Sequence, residues 1–125
     1  MLVDEDAGDL KFYRSALEGQ GFEVFAYTSY EAGVQCLEME SFDFVLVSQG
    51  SHAFEGRKVL DRALQLDRRP AVLVVARYVH MPSYLEAMQM GAVDYLEKPV
   101  PLGALLRLVQ TYVWNDRARL QGAAV

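Results

Sequence analysis

The chain has 125 residues, of which 52% are hydrophobic, and this suits one domain with a substantial core. Its 17 acidic and 12 basic residues give a net charge of -5, which argues against direct nucleic-acid binding by this domain. No apolar run approaches the roughly 18 residues of a membrane span, and no basic start precedes an apolar stretch, so we expect a cytoplasmic protein without membrane contact.

Short β-rich runs alternate with longer stretches of helical periodicity along the whole sequence. In chain order we first predict a strand over Met1 to Asp4, a helix over Asp9 to Gln20, a strand over Phe22 to Tyr27 and a helix from Ser29 to about Glu40. A strand over Phe44 to Val47, a helix over Gly56 to about Leu66 and a strand over Ala71 to Ala76 follow. The last predicted elements are a helix over Ser83 to Met90, a strand over Val93 to Leu96 and a helix from about Leu102 to Leu120. Several strands are unbroken apolar runs, which is typical of strands covered on both faces. Strict alternation of strands and helices predicts right-handed crossovers and an open, doubly wound parallel sheet.

A few residues mark the ends of these elements. Ser29 is a good cap for the second helix, while Gly21 and Gly91 suit the left-handed conformation that ends a helix. The one cysteine, Cys36, excludes an internal disulfide and is predicted to be packed rather than reactive.

Polar residues collect at the predicted carboxyl ends of the strands. Asp4, Glu5 and Asp6 follow the first strand, Ser48 the third and Lys98 the fifth, while Val75 to Arg77 close the fourth. Ligands of doubly wound sheets bind outside these strand ends, where the strand order reverses. The functional site is therefore predicted at this edge of the sheet.

Three segments resemble response-regulator receiver domains, the family of the bacterial chemotaxis regulator. Residues 90–99, Met-Gly-Ala-Val-Asp-Tyr-Leu-Glu-Lys-Pro, are similar to the fifth-strand signature, and Val3-Asp4-Glu5-Asp6 is similar to the acidic motif. Residues 42–48 resemble the segment that ends in the phosphoaccepting Asp, with Gly56 following where the family usually has glycine. The resemblance implies a flavodoxin-like, five-stranded parallel sheet of order 2-1-3-4-5 with five helices in a three-layer sandwich. It covers one receiver-like domain over residues 1–120, with 121–125 as a tail or the start of a linker.

The resemblance also implies roles for individual residues, and two of them depart from the family. Asp4 and Glu5 fall on the acids that hold magnesium, Lys98 on the phosphate-side lysine and Tyr95 on the switch aromatic. Ser48 stands at the phosphoacceptor position, and Val75 stands where the family has a signalling Thr or Ser. A serine removes both the nucleophile and an anionic metal ligand, so no cofactor is required and magnesium is expected to bind weakly.

Several side chains have more than one interpretation. Ser48 either bonds local backbone or water, or carries a phosphate. Lys98 either forms an ion pair with Asp4 or Glu5, or binds a ligand. His52 and His80 together with a carboxylate suggest a metal site as an alternative, and Arg77 either reaches into the phosphate position or is solvated.

The preferred function is a pseudo-receiver of a two-component phosphorelay that acts by protein-protein interaction, without Asp phosphorylation and without enzymatic activity. A protein partner or effector domain, or a second copy in a homodimer, would bind a face that includes Tyr84, Met88, Tyr95, Arg107 and Trp114. One alternative is a phosphorelay receiver phosphorylated at Ser48 or a nearby acid, and another is a flavodoxin-like domain that binds a small ligand or cofactor. The short start before Asp4 and the end at Ala123-Ala124-Val125 predict a piece of a longer chain.

Overall fold

The structure is a computed structural model that describes residues 1–113, in which strands and helices alternate. The strands are β1 (Leu2–Val3), β2 (Ala26–Tyr27), β3 (Phe44–Ser48), β4 (Ala71–Ala76) and β5 (Asp94–Glu97). The helices are α1 (Ala7–Glu18), α2 (Tyr30–Met39), α3 (Arg57–Gln65), α4 (Met81–Met90) and α5 (Leu102–Val113). The strands form one parallel sheet in the order β2-β1-β3-β4-β5, which confirms the predicted flavodoxin-like topology.

The core lies on both faces of the sheet because successive side chains of a strand point to opposite faces. Val45 and Val47 of β3 belong to the cluster that packs under α2, α3 and α4, whereas Phe44 and Leu46 belong to the cluster under α1 and α5. Every residue of β3 is buried. This two-sided burial explains the unbroken apolar runs in the sequence.

Helix α1 begins at Ala7, earlier than predicted, because Asp6 caps it. The Asp6 side chain accepts a hydrogen bond from the backbone N–H of Asp9 at 3.0 Å. The helix ends at Glu18, although Gly21 does have the predicted positive φ, 89°. The cap brings the first turn of α1, and with it Asp9, to the carboxyl edge of the sheet.

The other boundaries differ only locally from the predictions. Strand β2 is confined to Ala26–Tyr27, and α4 begins at Met81 rather than Ser83. The caps predicted at Ser29 and Gly91 are confirmed, and Cys36 is buried. The predicted end of the last helix at Leu120, together with Trp114 and residues 121–125, lies outside the described residues.

Within residues 1–113, none of the helices is both long enough and apolar enough to cross a membrane.

Candidate functional site

The parallel register gathers the predicted site residues at one edge of the sheet. Val3 of β1 pairs with Val47 of β3, so Asp4 and Ser48 follow at neighbouring strand ends, and Ser48 pairs in turn with Val75 of β4. Asp4 and Ser48 are both buried, with exposed fractions of 0% and 3%. A carboxylate, a hydroxyl and an apolar side chain thus lie side by side on β1, β3 and β4.

Lys98 forms a buried ion pair at this edge. Its Nζ lies 2.8 Å from Asp4 Oδ2 and 3.0 Å from Asp9 Oδ2, and its side chain is 7% exposed. Of the two acids predicted as partners, the structure has Asp4 and not Glu5. Asp9 was not predicted, although its place three residues after the cap at Asp6 could have indicated it. The lysine is therefore held by acids from two elements, β1 and α1.

Burial and charge interactions have opposite effects on the pKa values of this pair. Burial raises the pKa of Asp4, and the nearby Lys98 ammonium and a hydrogen bond from the Asp6 backbone N–H partly oppose that shift. Burial lowers the pKa of Lys98, but its hydrogen bonds and charge interactions with Asp4 and Asp9 outweigh burial and raise it overall. The ammonium therefore stays protonated at neutral pH and compensates the buried carboxylate.

Arg77 adds a second cation beside the first. Its Nη2 lies 2.9 Å from Asp6 Oδ2 and 3.3 Å from Asp9 Oδ2, so Asp9 joins both cations. The arginine side chain is 54% exposed, and solvent weakens its ion pairs. This exposure agrees with the solvated interpretation of Arg77, although the guanidinium also pairs with acids of the edge itself.

The acids at the edge contact protein groups in this structure, which is compatible with no more than weak binding of a divalent cation. Glu5 Oε2 accepts a hydrogen bond from the Tyr30 hydroxyl at 2.8 Å, and Asp4 is bonded by Lys98 and by the Asp6 backbone N–H. Across the described residues 1–113, no group of three or more His, Cys, Asp or Glu side chains could hold a metal ion. Magnesium prefers several oxygen ligands in octahedral geometry.

The alternative metal site at His52 and His80 is not formed. Their rings stack face to face with centroids 4.1 Å apart and planes 9° apart. The Nδ1 atom of His80 lies 2.8 Å from the hydroxyl of Ser83. The two histidines instead connect the loop after β3 with the loop after β4.

Ser48 has the local backbone interaction that one of the sequence interpretations predicts. Its Oγ accepts a hydrogen bond from the Gly50 backbone N–H at 3.4 Å. A Cβ at Gly56 would lie 2.1 Å from the Ser48 carbonyl oxygen, so the loop can approach the strand end only because residue 56 is glycine. This close approach fixes the backbone around Ser48.

Tyr95 is buried and points into this edge rather than toward a partner, which corrects its assignment to the predicted surface face. Its hydroxyl donates to Gln49 Oε1 and accepts a hydrogen bond from the His80 backbone N–H at 3.2 Å. Gln49 was missed by the sequence analysis, although a polar residue directly after a buried apolar strand is a signal that could have found it.

The remaining residues of the predicted face differ in exposure. The Tyr84 ring lies on the surface and packs edge-on against Tyr95 with centroids 5.4 Å apart. Arg107 is exposed, whereas Met88 is partly buried against the core. Trp114 lies outside the described residues. Tyr84 and Arg107 are therefore the described members of this face that lie at the surface.

Curated proteins that are similar to this chain include response regulators and transcriptional regulatory proteins. Among curated proteins, FixJ of Bradyrhizobium diazoefficiens is 26% identical over 99% of this chain and 60% of its own length. FleR of Pseudomonas aeruginosa is 31% identical over 87% of this chain, and ZraR of Salmonella typhimurium is 28% identical over 94%. This chain spans only 23% of FleR and 26% of ZraR.

Solved structures share the fold. A CheY-like receiver domain protein from Methanospirillum hungatei is 26% identical, with a TM-score of 0.81 over 88% of both chains. A response regulator from Burkholderia pseudomallei, solved with a phosphorylated aspartic acid, a calcium ion and citrate, is 22% identical, with a TM-score of 0.78 over 88% of this chain and 65% of that chain. Residues 1–110 match the response regulator receiver domain family. The chain therefore belongs to this family and is a receiver domain of two-component signalling.

Proposed function

We propose that this receiver domain is a pseudo-receiver, which acts by protein-protein interaction and is not switched by aspartyl phosphorylation. The observation that carries the proposal is the hydroxyl of Ser48 at the end of β3, where the family resemblance expects a phosphoaccepting Asp. A carboxylate attacks a phosphohistidine readily, whereas an unassisted hydroxyl is a poor nucleophile that needs a base. The chemistry of phosphate uptake therefore lacks its central group.

Among residues 1–113, no hydrogen bond joins the Ser48 hydroxyl to a carboxylate or imidazole that could act as its base. Tyr30 is the ionisable residue whose hydroxyl interacts with Ser48, and burial together with Glu5 raises the pKa of Tyr30, so its phenol keeps its proton. A phosphoserine at this position would also add about two negative charges beside the buried Asp4. These features disfavour Ser48 as an unorthodox phosphate carrier.

Two further residues of the relay are unsuited to phosphate. Val75 is buried beside Ser48, and its methyl groups cannot form the hydrogen bond that a Thr or Ser would form. The Lys98 ammonium is already paired with Asp4 and Asp9, so a phosphate oxygen would compete with two carboxylates. The acceptor and the readout hydroxyl are thus missing, and the lysine, which matches the family, is already paired.

A domain of this kind signals through its surface. A partner can shift its conformation only by binding two conformations with different affinities. We propose a cytoplasmic protein or a linked effector domain as that partner, bound near Tyr84 and Arg107, whose side chains are exposed. A second copy of the chain, bound at the same surface, would give a homodimer.

Titration with beryllofluoride and magnesium tests the proposal through the amide resonances of Ser48, Val75 and Lys98. We expect these resonances in the wild-type protein to move no more than in magnesium alone. The Ser48→Asp variant, which restores the carboxylate, is the matched positive control. Saturable shifts of all three resonances in the wild type would overturn the proposal.

A further inference from the structure

Gln49 is a buried amide side chain directly after β3. It is 1% exposed, and its backbone is fixed on two sides. Its N–H donates to the Val75 carbonyl at 2.7 Å, and its carbonyl accepts from the Gly56 N–H at 3.1 Å. With the backbone held between β4 and the loop before α3, the direction of the side chain is set.

The side-chain oxygen of Gln49 accepts the hydrogen bond that the Tyr95 hydroxyl donates. A buried amide oxygen without a partner is costly, so this bond favours the inward position of the Tyr95 ring. The amide nitrogen of Gln49 in turn donates to the Ser51 carbonyl at 3.5 Å. Gln49 therefore satisfies its polar atoms inside the protein only while Tyr95 stays inward.

Tyr95 in turn contacts the loop between β4 and α4 and the start of α4. Its hydroxyl accepts the His80 backbone hydrogen bond at 3.2 Å, and its ring packs against Tyr84. His80 also stacks on His52 and contacts Ser83. Around this loop lie large apolar side chains that are exposed on the surface, namely Tyr78, Val79, Met81, Tyr84 and Leu85.

We propose that Gln49 is the positioning residue that holds Tyr95 inward and thereby fixes the loop of residues 77–80 and its apolar surface in one arrangement. The claim that this arrangement needs no phosphate rests on the proposed function. The hydrogen-bonded chain from Gln49 through Tyr95 to His80 does not depend on it. A side chain next to Ser48 would thus set the surface that a partner meets.

Amide hydrogen exchange followed by NMR in protein without phosphate or metal tests this chain. In Gln49→Met, which keeps the side-chain length but removes the acceptor, we expect the His80 amide to exchange about tenfold faster. Tyr95→Phe removes both the donor to Gln49 and the acceptor of the His80 N–H, so its increase should be at least as large. The double variant should exchange no faster than Tyr95→Phe, because the Gln49 bond reaches His80 only through the Tyr95 hydroxyl.

Two controls separate positioning from general destabilisation. Gln110→Met makes the same chemical change at an exposed position of α5 and should leave His80 exchange unchanged. The Leu46 amide in the centre of β3 should keep its wild-type exchange in all variants, since only the loop is released.

An exchange rate of His80 within about twofold of wild type in Gln49→Met, or additive increases in the double variant, would overturn the inference. If Gln49→Met does not fold, Gln49→Leu, which also lacks the acceptor, takes its place, and an unchanged His80 rate in that variant removes the link. A phosphate response of the wild type would remove the proposed function but leave these rates as they are. The failures of the two proposals are therefore distinguishable.

Discussion

The ammonium of Lys98 lies 2.8 Å from the Asp4 carboxylate, and both side chains are almost completely removed from solvent. Asp4 follows β1 and Lys98 follows β5, so the pair connects two strand ends across those of β3, which carries Ser48, and β4. A buried ion pair contributes little net stability, since desolvation offsets the attraction between its charges. Removing one partner is different, because the other charge then remains buried and uncompensated.

We predict that Lys98→Met lowers the free energy of unfolding by about 3 to 5 kcal/mol, because it leaves Asp4 buried without its cation. Urea denaturation measures this loss. Lys11→Met, an exposed change on α1, is the matched control and should cost less than about 0.5 kcal/mol. Equal stability of the two variants would contradict a structural role for the pair.

Alkaline pH should destabilise the fold through buried groups that hold their protons. The pKa of Tyr30 is raised from 10.0 and that of Lys98 from 10.5, so above about pH 10 the unfolded chain binds fewer protons than the folded one. Their stabilising contribution is complete below the unfolded pKa values and is lost as pH rises through the folded ones. The free energy of unfolding should therefore fall with pH in this range.

Tyr30→Phe should reduce this slope by up to about 1.4 kcal/mol per pH unit, which corresponds to a difference of one bound proton. Urea denaturation at several pH values between about 9 and 11 measures it. An unchanged slope would show that Tyr30 ionises equally well in the folded and unfolded chain.

Two glycine substitutions should have opposite effects on stability, because only Gly56 lies where the loop closely approaches Ser48. Gly56→Ala should cost about 3 kcal/mol, because its Cβ would lie 2.1 Å from the Ser48 carbonyl oxygen, and that backbone is held by β3. Gly103→Ala should instead stabilise by about 0.5 to 1 kcal/mol, because it lies in helix α5, where its Cβ would meet only Arg107 at 3.7 Å. Thermal unfolding compares them, and a neutral Gly56→Ala would contradict the packing.

Ser48→Asp should convert the edge into a metal site. The added carboxylate would lie beside Asp4 and Glu5, so the variant should be less stable without metal and should regain stability with magnesium. Calorimetric titration with magnesium measures the difference, with saturable binding expected only in the variant. Equal affinity in both proteins would mean that Ser48 does not limit metal binding.

The alternation of strands and helices could be predicted because its determinants are local, whereas the strand order was implied by the family resemblance. Unbroken apolar runs such as 45–47 identify strands covered on both faces, and the alternation with helices restricts the topology to a doubly wound sheet. The error at α1 has a local cause as well. The apolar periodicity begins only at Leu10, whereas the helix starts earlier because Asp6 caps it.

The site was less predictable because its contacts join distant residues. The sequence predicted Lys98 near two acids but could not select Asp4 over Glu5. In the structure Glu5 is bonded to Tyr30, and Lys98 pairs with Asp4. Asp9 enters through the early start of α1, and Gln49 matters through a partner on β5. The sequence contains these residues, but only the register and the loop geometry show which atoms meet.

Intact mass measurement after incubation with acetyl phosphate or phosphoramidate and magnesium tests the absence of phosphate uptake most directly. The wild-type chain, with Ser48 at the end of β3, should keep its unmodified mass. Ser48→Asp, treated in parallel, shows that the reagents are active if it gains one phosphoryl group. The addition of one phosphoryl group to the wild-type protein would contradict the account.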